Sequence, residues 1–212
     1  MQIVIPVFPR ITALDAVGPY EVLQRLPDSD LVFVGHEVGP VRTDNGFLGL
    51  LADAVFEDVP HPDVIIFPGG VGTRPLMKDA RVLDWLRTAH GTTSYTTSVC
   101  TGALVLGAAG LLDGLEATTH WDAYGLLERT GAKPVPTRVV EHLDKRLITA
   151  AGVSSGIDMA LRLVELLVDA DAAKAMQLII EYDPQPPFDA GSVAKAGQRV
   201  MDRAVEYSKH RD

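Results

Sequence analysis

Tyr95-Thr96-Thr97-Ser98-Val99-Cys100-Thr101-Gly102-Ala103-Leu104 is the stretch that decides how this chain is read. β-branched and aromatic residues run up to Val99, and good helix formers begin at Ala103. The pattern predicts a strand that ends at Cys100 and a helix that starts at once. Working outward, Ile3–Phe8, Leu31–Val38, Val64–Phe67 and Ser94–Ser98 read as strands. They are β-rich and nearly continuous apolar runs, as expected of strands buried on both faces of a parallel sheet. Helical patterns over Asp15–Arg25, Asp79–His90, Thr101–Leu112 and Asp122–Thr130 alternate with them. Strand and helix in alternation predict an α/β fold, a doubly wound, mostly parallel sheet with helices on both faces.

Two segments interrupt the alternation. Val41 to Val55 contains the turn signal Asp44-Asn45-Gly46 and reads as a hairpin or irregular excursion. Val135 to Ala150 reads as two strands joined at Leu143-Asp144-Lys145. Helices are expected over Gly156–Val168, Ala170–Tyr182 and Val193–Ser208. Asp183-Pro184-Gln185-Pro186-Pro187-Phe188, between the last two, fits neither helix nor central strand. No repeat or low-complexity linker divides the sequence, so residues 1–212 are expected to form one domain.

Composition narrows the function. The net charge is -9, and an acidic surface repels phosphate backbones, which argues against nucleic-acid binding. Lys195, Arg199, Arg203, Lys209 and Arg211 cluster near the end, but acids interleave, as on a solvated helix face. One cysteine permits neither an internal disulfide nor a thiolate zinc cluster, and points to a reducing, cytoplasmic setting. The opening residues lack a basic region and a cleavage site, so no secretory signal is expected. The longest apolar run, Ala103 to Leu112, is far short of the roughly 18 residues of a membrane span.

Cys100 is the candidate nucleophile. A residue on a sharp strand-to-helix turn, at the carboxyl end of a central strand, sits where open α/β sheets place their sites. The arrangement is that of a nucleophile elbow with sulfur in place of oxygen. Free amides at the start of the following helix, and its dipole, are expected to favour the thiolate and lower its pKa. Gly102 is expected to leave room for a substrate. The competing reading is a buried structural cysteine. Asp15, at the start of the first helix on the same sheet edge, is the candidate proton partner. Its competing reading is a plain N-cap. Glu21 is a second candidate acid. Phe67-Pro68-Gly69-Gly70-Val71-Gly72 follows a buried strand, and the amides of Gly69, Gly70 and Val71 are expected to bind an oxyanion or substrate. This loop lacks the lysine of a phosphate loop and the spacing of a dinucleotide fingerprint. His120 is either a base for the cysteine or a core histidine bonded to backbone. The histidines show no metal-ligand spacing, and no metal or cofactor is expected.

Pro68-Gly69-Gly70 and Ser98-Val99-Cys100-Thr101-Gly102 together resemble the DJ-1/PfpI superfamily, a class I glutamine-amidotransferase-like, flavodoxin-like fold. The likeness is strongest to its isocyanide hydratase branch. It is carried by Leu14-Asp15-Ala16-Val17-Gly18-Pro19, Ala117-Thr118-Thr119-His120-Trp121, Gly152-Val153-Ser154-Ser155-Gly156-Ile157-Asp158 and Glu181-Tyr182-Asp183-Pro184-Gln185-Pro186-Pro187-Phe188. The resemblance implies that Cys100 attacks the isocyanide carbon, that Asp15 supplies a proton, and that Thr101 positions ligand and water. It also implies a homodimer, with the Pro-Pro-Phe segment lining a neighbour's site. Thr101 stands where protease-like members carry histidine, which argues against peptidase chemistry. Ser154-Ser155 and Met159 depart from the hydratase pattern, which has threonine-alanine and an aromatic there. Transcription regulators share a similar N-terminal domain but continue into a helix-turn-helix domain of roughly a hundred residues, which is not expected here. A redox sensor or chaperone-like role for Cys100, or a glyoxalase- or amidase-like activity at the same site, are the competing functions.

Overall fold

A computed structural model describes residues 1–208. Lys209 and Arg211 lie outside them. The first of two compact units, Met1–Ile180, is built on a seven-stranded sheet. Its strands are β1 (Gln2–Pro6), β2 (Asp30–Gly35), β5 (Ala54–Val55), β6 (Val64–Phe67), β7 (Tyr95–Val99), β10 (Val139–His142) and β11 (Leu147–Ala150). β3 (Gly39–Arg42) and β4 (Gly49–Ala52) form a separate antiparallel hairpin, and β8 (Glu116–Ala117) pairs with β9 (Lys133–Pro134). The hairpin turns at Asp44-Asn45-Gly46, where the sequence places its turn signal.

The sheet order is β10-β11-β7-β6-β1-β2-β5. Every pairing is parallel except β10 with β11. The expected mostly parallel sheet is therefore present. β6 and β11 are wholly buried, and so are all but the first residues of β1 and β7. β7 achieves this with hydroxyls rather than hydrocarbon. The Thr97 hydroxyl donates to the Ile65 carbonyl at 3.0 Å, and Thr96 Oγ1 lies 2.9 Å from both His90 Nδ1 and Thr93 Oγ1. Buried hydroxyls cost little when paired in this way.

Helices cover the sheet: α1 (Ala13–Leu23), α2 (Thr73–Leu76), α3 (Ala80–His90), α4 (Gly102–Ala108), α5 (Tyr124–Glu128), α6 (Ser155–Leu167) and α7 (Ala170–Ile179). α1 packs on α6 and α6 on α7, while α3 packs on α4. Asp79 caps α3 by accepting from the Arg81 and Val82 amides, and Asp169 caps α7 by accepting from Ala172. Three helices are at least three residues shorter than their patterns predict, α4, α5 and α7, the last ending at Ile179 instead of Tyr182. α4 stops at Ala108 because the chain turns at Gly110 with φ +83°, and α5 stops at Glu128, ahead of the turn at Gly131. Periodicity extends past α4 because Ala109 and Leu112, beyond its end, are apolar and buried against the core.

The second unit begins at Glu181. No regular element covers Asp183–Phe188, as its prolines dictate. The helix expected over Val193–Ser208 is divided into α8 (Val193–Ala196) and α9 (Gln198–Ser208). Gly197 separates them with φ +70°, a conformation no helix contains. The interleaved charges pair locally, Lys195 with Asp189 and Arg203 with Glu206, as a solvated surface would. No helix among the described residues is long and apolar enough to cross a membrane.

Candidate active site

β1, β6 and β7 are neighbours in the sheet and run the same way. Their carboxyl ends therefore deliver three segments to one place: Thr12–Asp15, Pro68–Gly70 and Cys100–Thr101. Chain order alternates across this point, which is where open α/β sheets open a crevice.

Cys100 follows β7 directly and takes φ +56°. A non-glycine residue in the left-handed region is strained, and surrounding contacts must hold it there. The Cys100 amide donates to the Ala151 carbonyl at 2.8 Å and to Ala150 at 3.1 Å. The Cys100 carbonyl accepts from the Thr119 hydroxyl at 2.9 Å. The expected elbow is present, and the sulfur-bearing residue is 5 % exposed.

Asp15 is completely buried. It is not an N-cap: Thr12 holds that position, and Asp15 lies in the first turn of α1. Its Oδ2 accepts from the Gly69 amide at 3.0 Å. Its Oδ1 has no partner of good geometry, although the Cys100 thiol interacts with the carboxyl as a weak donor. Burial pushes the Asp15 pKa up to about 7, against the smaller opposing effects of the thiol, the Gly69 amide and His120.

The thiol behaves otherwise than the sequence suggests. Backbone amides of Val153 and Thr101 do face the sulfur and favour the thiolate. Burial outweighs them, the adjacent Asp15 carboxylate adds to it, and the Cys100 pKa rises. The helix that follows has only seven residues, Gly102–Ala108, so its dipole is small. The resting pair thus holds its proton rather than a free thiolate. The Val153 amide was not legible in the sequence, since it arrives from the loop after β11.

Other residues take different parts from those expected. Gly102 serves the fold, not a substrate. A Cβ there would land on the Phe67 carbonyl oxygen and lie 2.8 Å from that of Pro68. Gly102→Ala is expected to lower unfolding free energy by on the order of 3 kcal/mol, read by chemical denaturation. The amides of Gly69 and Gly70 do not stand open to a ligand. Gly69 donates to Asp15, and Gly70 donates to Thr101 Oγ1 at 2.9 Å. Val71 is half-buried beside them, and its carbonyl accepts from the Arg74 amide. His120 Nδ1 sits 2.6 Å from Asp122 Oδ1, and its ring lies over Gly152 beside Trp121. It pairs with a carboxylate, not with the sulfur, and is neither a core histidine bonded to backbone nor a direct base in this arrangement. Glu21 forms an ion pair with Arg25 on the outside of α1. No group of three or more histidine, cysteine or acidic side chains able to hold a metal occurs among the described residues.

The raised Asp15 pKa has a measurable consequence. A carboxyl whose folded pKa lies above its ordinary 3.8 binds more protons folded than unfolded. Its stabilising contribution is fully present below about pH 4 and is lost as pH rises through about 7. Urea unfolding is therefore expected to show wild type losing on the order of 4 kcal/mol relative to Asp15→Asn between those pH values. A constant difference would show that Asp15 keeps an ordinary carboxyl.

Comparison with known proteins follows this geometry. Residues 1–166 match the model of the DJ-1/PfpI family. The chain is 48% identical over 204 residues to the isonitrile hydratase of Pseudomonas putida, covering 96% of this chain and 88% of that one. It is 29% identical over 165 residues to the HTH-type transcriptional regulator CdhR of Pseudomonas aeruginosa, covering 76% of this chain but 48% of the regulator. A solved ThiJ/PfpI family protein from Pseudomonas syringae superimposes with a TM-score of 0.92 at 38% identity, covering 99% of this chain and 86% of that one. With the elbow and its parallel sheet, these likenesses make the chain a member of the DJ-1/PfpI family.

Proposed function

We propose that this chain is an isocyanide hydratase, adding water to an isocyanide to give an N-substituted formamide. The observation that carries the reading is the 48% identity to the Pseudomonas putida isonitrile hydratase across nearly the whole chain. The buried Cys100–Asp15 pair supplies chemistry that suits it.

In this reading Cys100 is the nucleophile and Asp15 handles the proton. The thiol gives its proton to the Asp15 carboxylate as its sulfur bonds to the terminal isocyanide carbon. Asp15 then delivers that proton to the carbon, and a thioimidate, R–N=CH–S–Cys100, results. Water adds to the same carbon, with its proton passing to nitrogen. The carbon–sulfur bond breaks, the formamide departs, and the hydroxyl proton returns through Asp15 to sulfur. Atoms balance without a metal or organic cofactor. Splitting one hard addition into two easier steps is the value of a covalent nucleophile. The Thr101 and Val153 amides stabilise the sulfur as it gains and loses charge.

A homodimer in the cytoplasm is the assembly and setting we assign. The test is an assay of formamide formation from a panel of isocyanides, with solution mass measured on the same preparation. Formamide production above the buffer rate supports the reading, and its absence across the panel overturns it.

A further inference from the structure

Val153 supplies one of the amides that donate to the Cys100 sulfur, and it does so from a strained backbone. Its φ is +25°, outside the regions a β-branched residue ordinarily occupies. Such a conformation persists only where surrounding contacts hold it. Gly152 and Val153 lie in the loop between β11 and α6. Arg138 grips this turn at both ends. Its carbonyl accepts from the Ala151 amide at 2.9 Å, which continues the antiparallel β10–β11 register by one residue. The Ala151 carbonyl in turn accepts the Cys100 amide at 2.8 Å. At the other end, Arg138 Nη2 donates to Ser154 Oγ at 3.3 Å, and Nε donates to Asp158 Oδ2. Ser154 and Asp158 are four residues apart on α6, so they share a face that one planar fork can reach. Ser154 holds the N-cap position, yet its side chain caps no amide and serves the arginine instead.

We propose that Arg138 is a positioning residue for the thiol: by bracketing Gly152 and Val153, it holds the Val153 amide on the Cys100 sulfur. This deepens the hydratase reading, and its catalytic consequence rests on that reading. Gly152 is fixed from within the turn, because its carbonyl accepts from the Ser155 amide and hydroxyl, both at 3.1 Å. The His120 ring walls it on one side, where a Cβ would lie 2.7 Å from Cδ2. Val153 therefore sits between a held glycine and a held serine. Relaxing its φ would carry Ser154 away from the guanidinium or turn the N–H off the sulfur. The Arg138–Asp158 pair is half-exposed, so it adds little to stability by itself. Its effect is on geometry. When the carbon–sulfur bond breaks, the sulfur carries charge until its proton returns, and an aimed amide stabilises that charge.

The test is the rate of Cys100 alkylation by iodoacetamide near pH 8, a neutral probe whose approach is not steered by a lost charge. Below the thiol pKa, this rate follows the thiolate fraction. Arg138→Met keeps the aliphatic stem and is expected to slow alkylation about fivefold, the worth of a weakened hydrogen bond to sulfur. Arg138→Lys is expected to stay slow, because an ammonium keeps the charge but not the fork. Arg162 provides the control. It also ties α6 to β10, through Glu141, but one helical turn beyond Asp158. Arg162→Met is expected to alkylate at the wild-type rate. An unchanged or faster rate in Arg138→Met overturns the inference. So does full recovery in Arg138→Lys, which would make charge alone the cause, or an equal loss in Arg162→Met, which would make it the joining of strand to helix. If Arg138→Met fails to fold, Ser154→Ala carries the same comparison, with an expected slowing of about twofold. Formamide formation is expected to fall about fivefold in Arg138→Met alongside alkylation, and an undiminished rate there also overturns the inference. A wild-type protein inactive on every isocyanide overturns the hydratase reading, while the alkylation rates still decide the placement of Val153.

Discussion

Cys100→Ala is expected to take formamide formation to the uncatalysed rate, a loss of roughly four orders of magnitude or more, as removal of a covalent nucleophile does elsewhere. The fold should survive. Alanine meets the same left-handed strain at φ +56° that cysteine already bears, and the Cys100 amide and carbonyl keep their backbone and Thr119 partners. A thermal midpoint close to wild type, together with lost turnover, separates chemistry from folding. Cys100→Ser is the sharper variant. It keeps the size and a proton, but a buried hydroxyl ionises far less readily than a thiol. It should be as inactive as the alanine variant. Turnover preserved in either variant would remove the thioimidate from the mechanism. Detection of a wild-type adduct heavier by the mass of one isocyanide, at Cys100 alone, would place the covalent step directly.

Asp15→Asn is expected to move two measurements in opposite directions. Turnover should fall by about 10²- to 10⁴-fold, the usual worth of a positioned proton donor. Reaction of Cys100 with a small alkylating reagent near pH 8 should become faster. The carboxylate beside the sulfur raises the thiol pKa, and the neutral amide does not. Asparagine Oδ1 can still accept the Gly69 amide, so the local backbone should hold. A variant that simply unfolds the site would expose the thiol and also broaden the unfolding transition, which circular dichroism would show. Full activity in Asp15→Asn would end the proton role. In wild type the same logic predicts that turnover rises with pH through about 7, as the pair loses its first proton.

Much of the architecture could be read from local pattern. β6 spans the same residues, Val64–Phe67, as its apolar run, and the strand–Cys100–helix junction falls where composition switches. The β3–β4 hairpin turns at the Asp44-Asn45-Gly46 signal because turn chemistry acts over a few residues. β8, β9 and β5, each two residues long, carry too little pattern to be seen. The single helix expected over Val193–Ser208 ignored Gly197, whose conformation periodicity does not report.

The sequence by itself determined a parallel α/β sheet, one sulfur at a strand end, and an acid near the start of the first helix, because hydrophobic periodicity and residue type are local properties. Tertiary structure alone decided what those groups are like. β7, β6 and β1 lie side by side, so Cys100, Gly69 and Asp15 meet, and burial of the acid and the thiol raises both pKa values. The same packing turned the Gly69 and Gly70 amides inward and gave Gly102 a backbone to avoid. Desolvation and close packing depend on atoms far apart in the chain, and no window of sequence contains them.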